Sequence, residues 1–271
     1  MAEKLYGAPV AEELRTRTME YTEPLKLRPV LAIVRTGADA DDVSYERSLR
    51  AACSKCGEDV WTAELPAFAP QDALVRAVHR IGRDKDVDGV IVMCPRQYDR
   101  GLIAAAIGRG KDVDGAGYEE GGAFVPCTAQ AVMETLDFYG VEPAGKNVVV
   151  IGRSAVSGAP AAALLTERGA RVTVCHTGTD EPEKLCRQAD ILVCTAGKAG
   201  LVDAERMKAG QVIIDVGINV APDGSVCGDV IAADAERTAA AYTPVPRGVG
   251  AVTSYVLALH VAQAAAERKK L

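Results

Sequence analysis

Positive charge in excess is missing from this sequence, and with it the footprint of a nucleic-acid binder. The 31 Lys and Arg stand against 37 Asp and Glu, giving a formal net charge of −6 and a pI near 5.3. The basic AERKK stretch near the C-terminus is too short to change that balance. No apolar run approaches the roughly 18 residues that a membrane helix needs. The opening MAEKLYGAPVAEEL carries acids where a secretory signal has its apolar core, so the expected compartment is the cytoplasm. Cysteine is not scarce, but a cysteine framework is: the eight, at 53, 56, 94, 127, 175, 186, 194 and 227, are scattered. Cys175 and Cys194 fall within apolar runs, where a free thiol behaves as a small hydrophobe. The only CxxC, Cys53 to Cys56, lies in a helical pattern with no second pair or His cluster nearby. It therefore argues for neither zinc nor a redox motif, and no metal site is expected. Reduced thiols are the expectation.

What is present is ordinary for a globular protein, with 48% hydrophobic and 25% charged residues. A chain of 271 residues can form one large or two small domains, and two are expected here. Its most organised stretch is Lys146 to Thr179. The branched apolar run Val148 to Ile151 leads into a turn bearing Gly152, Ser154 and Gly158, then an Ala/Leu-rich helix and a second apolar run, Val172 to Cys175. This is a strand, turn, helix, strand unit of the kind parallel pairing requires. A glycine- and hydroxyl-rich first turn is a candidate phosphate cradle, because backbone N–H groups at a helix N-terminus attract anions. The spacing is G-x-S-x-x-x-G rather than G-x-G-x-x-G, so taken alone it also fits glycines that only relieve crowding.

Along the rest of the chain, strand and helix patterns alternate, which predicts an α/β fold with a parallel sheet. Residues 3–25 read as helix, 29–34 as strand, 44–56 as helix closed at Gly57, 58–65 as strand, 71–83 as helix, 89–93 as strand and 102–107 as helix. Pro126-Cys-Thr128 starts a helix running to about Tyr139, and the later strands follow at 190–195, 212–216 and, past a hairpin-like Pro222-Asp-Gly224, in a segment ending at Tyr242. The last helix is expected over Thr253 to Arg268, packing back on the first domain. KDVDG occurs at both 85–89 and 111–115. The first copy feeds a strand and reads as a turn. The second enters a glycine-rich loop, where function is more often carried.

Four segments in this order, SYERSLRAAC, KDVDG, PCTAQAV with VVVIGRS, and TPVPRGVGAVT, together with VTVCHT, VIIDVGIN and GDV, resemble the methylenetetrahydrofolate dehydrogenase/methenyltetrahydrofolate cyclohydrolase family, the FolD-type enzymes. The resemblance is essentially end to end. It implies an N-terminal three-layer α/β domain over residues 1–125, completed by helix 253–271, and a Rossmann-like NAD(P)-binding domain over 126–252, with substrate in the cleft between them. It also implies oxidation of 5,10-methylenetetrahydrofolate by hydride transfer to a nicotinamide, hydrolysis of the product to 10-formyltetrahydrofolate, and a homodimer. By position, Tyr45 matches the tyrosine that packs on the folate and Asp114 the aspartate that holds the pterin ring. A carboxylate suits that task, since it accepts two parallel hydrogen bonds. Gly152, Arg153 and Ser154, with Gly158, match the cofactor-phosphate turn, Thr177 a hydroxyl near the adenosine ribose, and Ile218 a backbone contact near the nicotinamide. Thr253 is a further cofactor candidate whose alternative role is a helix N-cap.

The pattern breaks at two places. The family's general acid/base lysine, one helical turn after the tyrosine, corresponds to Leu49, and its assisting glutamine to Met93. Arg50 is about 100° round the helix and a poor stand-in. Arg247, beside Gly248 in the substrate- and cofactor-side loop, stands where the family has glycine, and Arg96 is also new. Either returns a cation to the site, binds an altered substrate, or is a solvated loop arginine. Dehydrogenation is therefore expected, with cyclohydrolase activity weak or lost; the alternatives are a nucleotide-binding paralogue with a regulatory role and a dehydrogenase for a different substrate. For the cofactor, an NAD site would carry an acid about 20 residues past the glycine turn. Here Cys175-His-Thr-Gly-Thr179 has none, and Arg153, Thr177 and His176 suit a 2′-phosphate, so NADP is expected over NAD.

Overall fold

In a computed structural model of the chain, which describes all residues except Leu25, Leu27, Arg96, Glu120, Pro222, Lys270 and Leu271, the elements run in the following order. They are β1 (Glu3–Lys4), α1 (Gly7–Thr22), β2 (Val30–Thr36), α2 (Ala40–Lys55), β3 (Asp59–Leu65), α3 (Gln71–Gly82), β4 (Gly89–Met93) and α4 (Arg100–Ile107). There follow α5 (Cys127–Phe138), β5 (Asn147–Ile151), α6 (Gly158–Glu167), β6 (Arg171–Cys175), α7 (Pro182–Gln188), β7 (Ile191–Cys194) and β8 (Val212–Asp215). Last come β9 (Asn219–Val220), β10 (Val226–Cys227), α8 (Ala232–Thr238), β11 (Ala241–Tyr242) and α9 (Val249–Lys269). The chain divides into two compact units, Met1–Ala11 with Thr128–Thr253 and Glu12–Cys127 with Ser254–Leu271.

The unit containing 12–127 is built on a three-stranded parallel sheet in the order β3-β2-β4. β2 and β4 are short and branched because both their faces are covered; Leu31, Ala32, Ile33 and Val34 of β2 are all fully buried, whereas the edge strand β3 is half exposed. On one face lie α3, with Leu74, Val78 and Ile81 inward at the i, i+4, i+7 spacing of an amphipathic helix, and α4, with Ile103, Ala106 and Ile107. Asp99 caps α4 by accepting from the backbone N–H of Leu102 at 3.1 Å. The first KDVDG copy does more than turn: Asp88 is buried, accepts from Val30 N at 2.9 Å and pairs with Arg268 of α9.

The other unit carries a six-stranded sheet in the order β1-β11-β8-β7-β5-β6, every pairing parallel. The chain leaves β5 to one side, for β6, and then crosses to the other, for β7. The carboxyl ends of β5 and β7 are thus the point where an open α/β sheet binds ligands. The N-terminal eleven residues accompany this sheet through β1, a two-residue strand inside the stretch expected to be helical. Its partner β11 is over 230 residues away, so nothing local could signal it. A short antiparallel β9–β10 hairpin forms around the expected turn, whose Pro222 lies outside the described residues.

Helix α9 requires two corrections. It starts at Val249, so Thr253 is not an N-cap: it is buried in the second turn and its hydroxyl donates to the Val249 carbonyl at 3.3 Å. The Pro/Gly-rich segment was expected to delay the helix, but Gly248 and Gly250 do not prevent it. An 18-residue window of α9 also reaches a mean hydropathy of 1.4, long and apolar enough to cross a bilayer, contrary to the expectation from uninterrupted runs. Isolated polar residues such as Ser254 and His260 interrupt the apolar run, and 72% of the window is buried within the fold, as in a core helix. All eight cysteines are free.

Replacing Leu74 with Ala should lower the stability of the 12–127 unit by about 2–5 kcal/mol, because a fully buried leucine leaves a cavity. Urea unfolding followed by fluorescence reads this directly, since the single tryptophan, Trp61, lies in β3 of the same unit. An unchanged midpoint would contradict the packing described.

Candidate functional site

The turn after β5 is shaped by contact with the end of β7. Gly152 has φ of +114°, and a Cβ there would meet Thr195 Oγ1 at 2.5 Å and its carbonyl oxygen at 2.6 Å. A Cβ on Gly158, the first residue of α6, would collide with the Gly152 carbonyl. Both glycines of the G-x-S-x-x-x-G turn are therefore fixed by close backbone approach. Between them, Ser154 and Ser157 share a hydrogen bond of 2.6 Å.

Beside this turn is a pocket of about 480 Å³ whose lining includes Gly152, Arg153, His176, Thr177, Lys198 and Arg206. No described Asp or Glu lines it. His176 has a set role: its Nδ1 accepts from Gly178 N at 3.1 Å, while its own N–H donates to Thr179 Oγ1 at 2.9 Å. Arg206 is tied to Glu183 and Asp203, whereas Arg153 and Lys198 are exposed. Sequence reasoning named Gly152, Arg153, His176 and Thr177 and missed Arg206, which reaches the pocket from the segment between β7 and β8; Lys198 follows the carboxyl end of β7, where an open α/β sheet places its ligand crevice. Of the remaining expected cofactor residues, Ser154 and Gly158 build the turn, while Ile218 is 67% exposed and does not line this pocket.

Two aspartates that the sequence reading quoted only inside motifs hold these loops. Asp229, fully buried, accepts from Ala196 N at 2.6 Å, Gly197 N at 3.0 Å, Lys198 N at 2.8 Å and Asn219 Nδ2 at 3.0 Å. Asp215 accepts from Gly217 N, Asp229 N and Val230 N at 3.0 to 3.1 Å. Burial raises the Asp215 carboxyl to about 7, against the pull of those amides.

In the loop before α9, Arg247 has φ of +85°, a left-handed conformation that favours glycine, and its guanidinium lies 5.7 Å from the centre of the Tyr6 ring. Gly248 is buried, and a Cβ there would come within 2.5 Å of the Pro244 carbonyl oxygen. Arg96, the other new cation, lies outside the described residues.

In the 12–127 unit the second KDVDG copy forms a set of turns rather than a strand, bridged to β4 between Val90 and Asp112. Asp112 is buried and accepts from Ala116 N at 3.1 Å and Gly117 N at 2.7 Å, which shapes the glycine loop. Gly115, with φ of +74°, packs so close to the 125–126 backbone that a Cβ would lie 2.6 Å from Pro126 N. Asp114 and Tyr45 come together here, with Cys127 and Cys53 nearby. Burial first, and the Asp112 carboxylate second, raise the Asp114 carboxyl to about 7, against the opposing effects of Arg100 and Cys127. Burial, with Asp114 beside it, also raises the Tyr45 phenol, although the residue as a whole is half-buried.

Leu49 is fully buried on α2 and Met93 is 5% exposed at the end of β4. Two cations adjoin them, Arg50 next to Leu49 in sequence and Arg35 opposite Met93 in the sheet, and both are already engaged. Arg50 donates to Glu46 at 3.0 Å, to the Val60 carbonyl at 2.8 Å and to Thr62 Oγ1 at 2.7 Å. The buried Arg35 of β2 bonds Glu46 at 3.2 Å, Glu64 and the Gly37 carbonyl. Sequence reasoning missed this network. Arg35 and Glu46 are eleven residues apart, and only the strand-to-helix crossover joins them.

Comparison with known proteins agrees with this arrangement. Residues 126–269 match the model for the tetrahydrofolate dehydrogenase/cyclohydrolase NAD(P)-binding domain, and residues 5–114 match the model for the catalytic domain of the same family. The bifunctional FolD proteins of Clostridium kluyveri and Carboxydothermus hydrogenoformans are 39% and 40% identical to the chain. The matches cover 98% of both chains in the first case and 97% of both in the second. Among solved structures, the bifunctional FolD of Campylobacter jejuni superposes with a TM-score of 0.92 at 31% identity, over 99% of this chain and 100% of that one. The Trypanosoma brucei FolD, solved with NADP and an inhibitor, gives 0.90 at 34% identity, over 99% and 98%. With both family domains present and the likeness running from end to end, the chain belongs to the tetrahydrofolate dehydrogenase/cyclohydrolase family and carries its NAD(P)-binding domain.

Proposed function

We propose that this protein oxidises 5,10-methylenetetrahydrofolate to 5,10-methenyltetrahydrofolate with NADP as hydride acceptor, and that its cyclohydrolase activity is weak or lost. One observation carries the reading: the acidic and aromatic groups suited to hold a pterin are in place, while the positions expected to move a proton, Leu49 and Met93, are apolar and buried.

The pocket beside Gly152 fits a dinucleotide phosphate. Its turn leaves backbone bare for close approach, and the lining is cationic through Arg153, Lys198 and Arg206, with no described carboxylate to repel a 2′-phosphate. When bound there, NADP supplies the acceptor for the hydride. Asp114, once ionised, accepts two hydrogen bonds from a ring N–H and an amino group of the pterin, and the Tyr45 ring offers a flat apolar face beside it. Loss of hydride from the methylene carbon leaves the methenyl cation and requires orientation rather than proton transfer from the protein. Hydrolysis of that cation is different, because water must be deprotonated and a ring nitrogen protonated. Neither Leu49 nor Met93 can do this, and Arg50 and Arg35 are held by Glu46.

Absence of a general acid/base costs roughly 10²- to 10⁴-fold. Purified protein should therefore reduce NADP with methylenetetrahydrofolate while hydrolysing methenyltetrahydrofolate at least about 100-fold more slowly. Comparable rates for the two reactions would overturn the proposal.

NADP should be preferred over NAD by about tenfold or more in kcat/KM, and Arg153→Ala should erase most of that preference, since a charge-assisted hydrogen bond is worth roughly that factor. An unchanged cofactor ratio in the variant would remove Arg153 from the role.

The ionised form of Asp114 is the acceptor, so kcat/KM for the folate should rise about tenfold per pH unit below the Asp114 value of about 7 and level off above it. Asp114→Asn should be slower and lack that limb. A profile flat from pH 5.5 to 8.5 in the unmodified protein would count against the assignment.

A further inference from the structure

Helix α9 brings one group to the Asp114 segment that the mechanism above does not use. His260 is 2% exposed, and its Nδ1 lies 2.8 Å from the carbonyl oxygen of Val113, the residue immediately before Asp114. A carbonyl oxygen only accepts, so Nδ1 carries the proton and donates it. The Phe124 ring lies over the imidazole with centroids 4.7 Å apart and planes tilted by 32°, which restricts the ring to one orientation.

The position of that carbonyl matters because the 111–115 segment is not a sheet strand: among the described residues it is bridged to β4 at Asp112 and is otherwise shaped by turns and by the Asp112 carboxylate, and His260 reaches the peptide next to Asp114 itself. Peptide planarity means that holding the Val113 oxygen also sets the direction of the Asp114 N–Cα bond, from which the carboxylate is carried.

The same contact frees a second group. Cys127 Sγ lies 3.3 Å from the Val113 oxygen and 3.6 Å from His260 Nδ1, and it also adjoins the Asp114 carboxyl. A thiol has one proton to give. With the carbonyl served by His260 at the shorter distance, that proton can turn to Asp114. The Cys127 backbone N–H, 3.4 Å from the Asp114 carbonyl, closes the arrangement from the other side.

We propose that His260 is a positioning residue for folate binding: by holding the Val113 carbonyl, it aims the Asp114 carboxylate at the pterin. This rests on the reading of Asp114 given under Proposed function and adds a residue that no position-by-position match to the family supplied.

Two substitutions separate the hydrogen bond from mere filling of space. His260→Leu keeps apolar bulk and removes the donor, whereas His260→Asn places an amide N–H close to where Nδ1 stood. The Leu variant should raise KM for methylenetetrahydrofolate, and the calorimetric Kd for tetrahydrofolate, about tenfold, because the buried carbonyl then keeps only the weaker Cys127 thiol as donor and draws that proton away from Asp114. Dehydrogenase kcat should stay within about threefold and KM for NADP within about twofold, because uniform binding has been lost rather than transition-state binding. The Asn variant should return both folate constants to within about threefold of the unmodified protein.

The inference is overturned if the Leu variant leaves folate KM and Kd unchanged, if it raises the folate and NADP constants alike, or if Asn fails to restore binding while melting at the unmodified temperature. If the Leu variant does not fold, the Asn variant is compared with His260→Gln, whose amide sits one bond too far out. Equal folate constants for Asn and Gln then reject the role, and a selective loss in Gln supports it. Failure of the unmodified protein to reduce NADP with methylenetetrahydrofolate would instead strike the proposed function. The tetrahydrofolate titration then still reads His260, and no binding by the unmodified protein rejects both.

Discussion

The buried carboxylate of Asp229 is the contact on which the nucleotide-side architecture depends. It gathers three successive backbone N–H groups, from Ala196, Gly197 and Lys198, and the side-chain amide of Asn219. Consecutive amides that converge in this way form an anion-binding concavity, and here the anion is part of the chain itself. The loop after β7 is thereby held where Thr195 can meet Gly152, and the turn after β5 can only close because Gly152 and Gly158 have no side chains. Asp215 repeats the device one strand over, with its own three amides. The site's geometry is thus set by internal carboxylates rather than by the length or propensity of any one element.

A similar division of labour appears in the other unit, where charge is either used or neutralised. Asp112 organises the glycine loop, and the Cys127 backbone N–H and His260 hold the Val113–Asp114 backbone. Across α2, Glu46 collects Arg35, Arg50 and Thr62, so the guanidinium groups adjoining Leu49 in sequence or pairing with α2 have partners. Burial pushes the Glu46 carboxyl up, but its bonds to Thr62, Arg50 and Arg35 outweigh that and hold it below the usual range. Asp114 thus carries a carboxyl raised by burial, while Leu49 and Met93 are buried apolar positions.

Cofactor selection has the same physical basis in both the sequence and the structure, but the structure enlarges it. The lack of an acid between Cys175 and Thr179 already disfavours ribose hydroxyl recognition. The pocket adds Lys198 and Arg206 to Arg153, residues 45 or more positions further along the chain that converge only because β5 and β7 are neighbours in the sheet. Arg206 is offset by Glu183 and Asp203, which leaves Arg153 and Lys198 as the cations with water on one side.

Local pattern by itself determined a good deal of this protein. Apolar runs placed β2, β4, β5, β6, β7 and β8 to within a residue or two, because strands inside a parallel sheet are buried on both faces and cannot hide their composition, and even the edge strand β6 keeps a branched apolar core. Glycine spacing located the turn at 152–158, since backbone approach leaves no alternative residue, and the resemblance carried by KDVDG and PCTAQAV singled out Asp114. What pattern could not supply were relations between distant segments: β1 against β11, Arg35 with Glu46, Asp229 with the 196–198 loop, and His260 with Val113, 147 residues apart. It also misplaced Thr253, because the start of α9 is fixed by packing of Gly248 and Val249 and not by a capping residue. Each of these depends on hydrogen bonds whose partners meet only after the sheets have formed, and for that reason only the tertiary structure decided them.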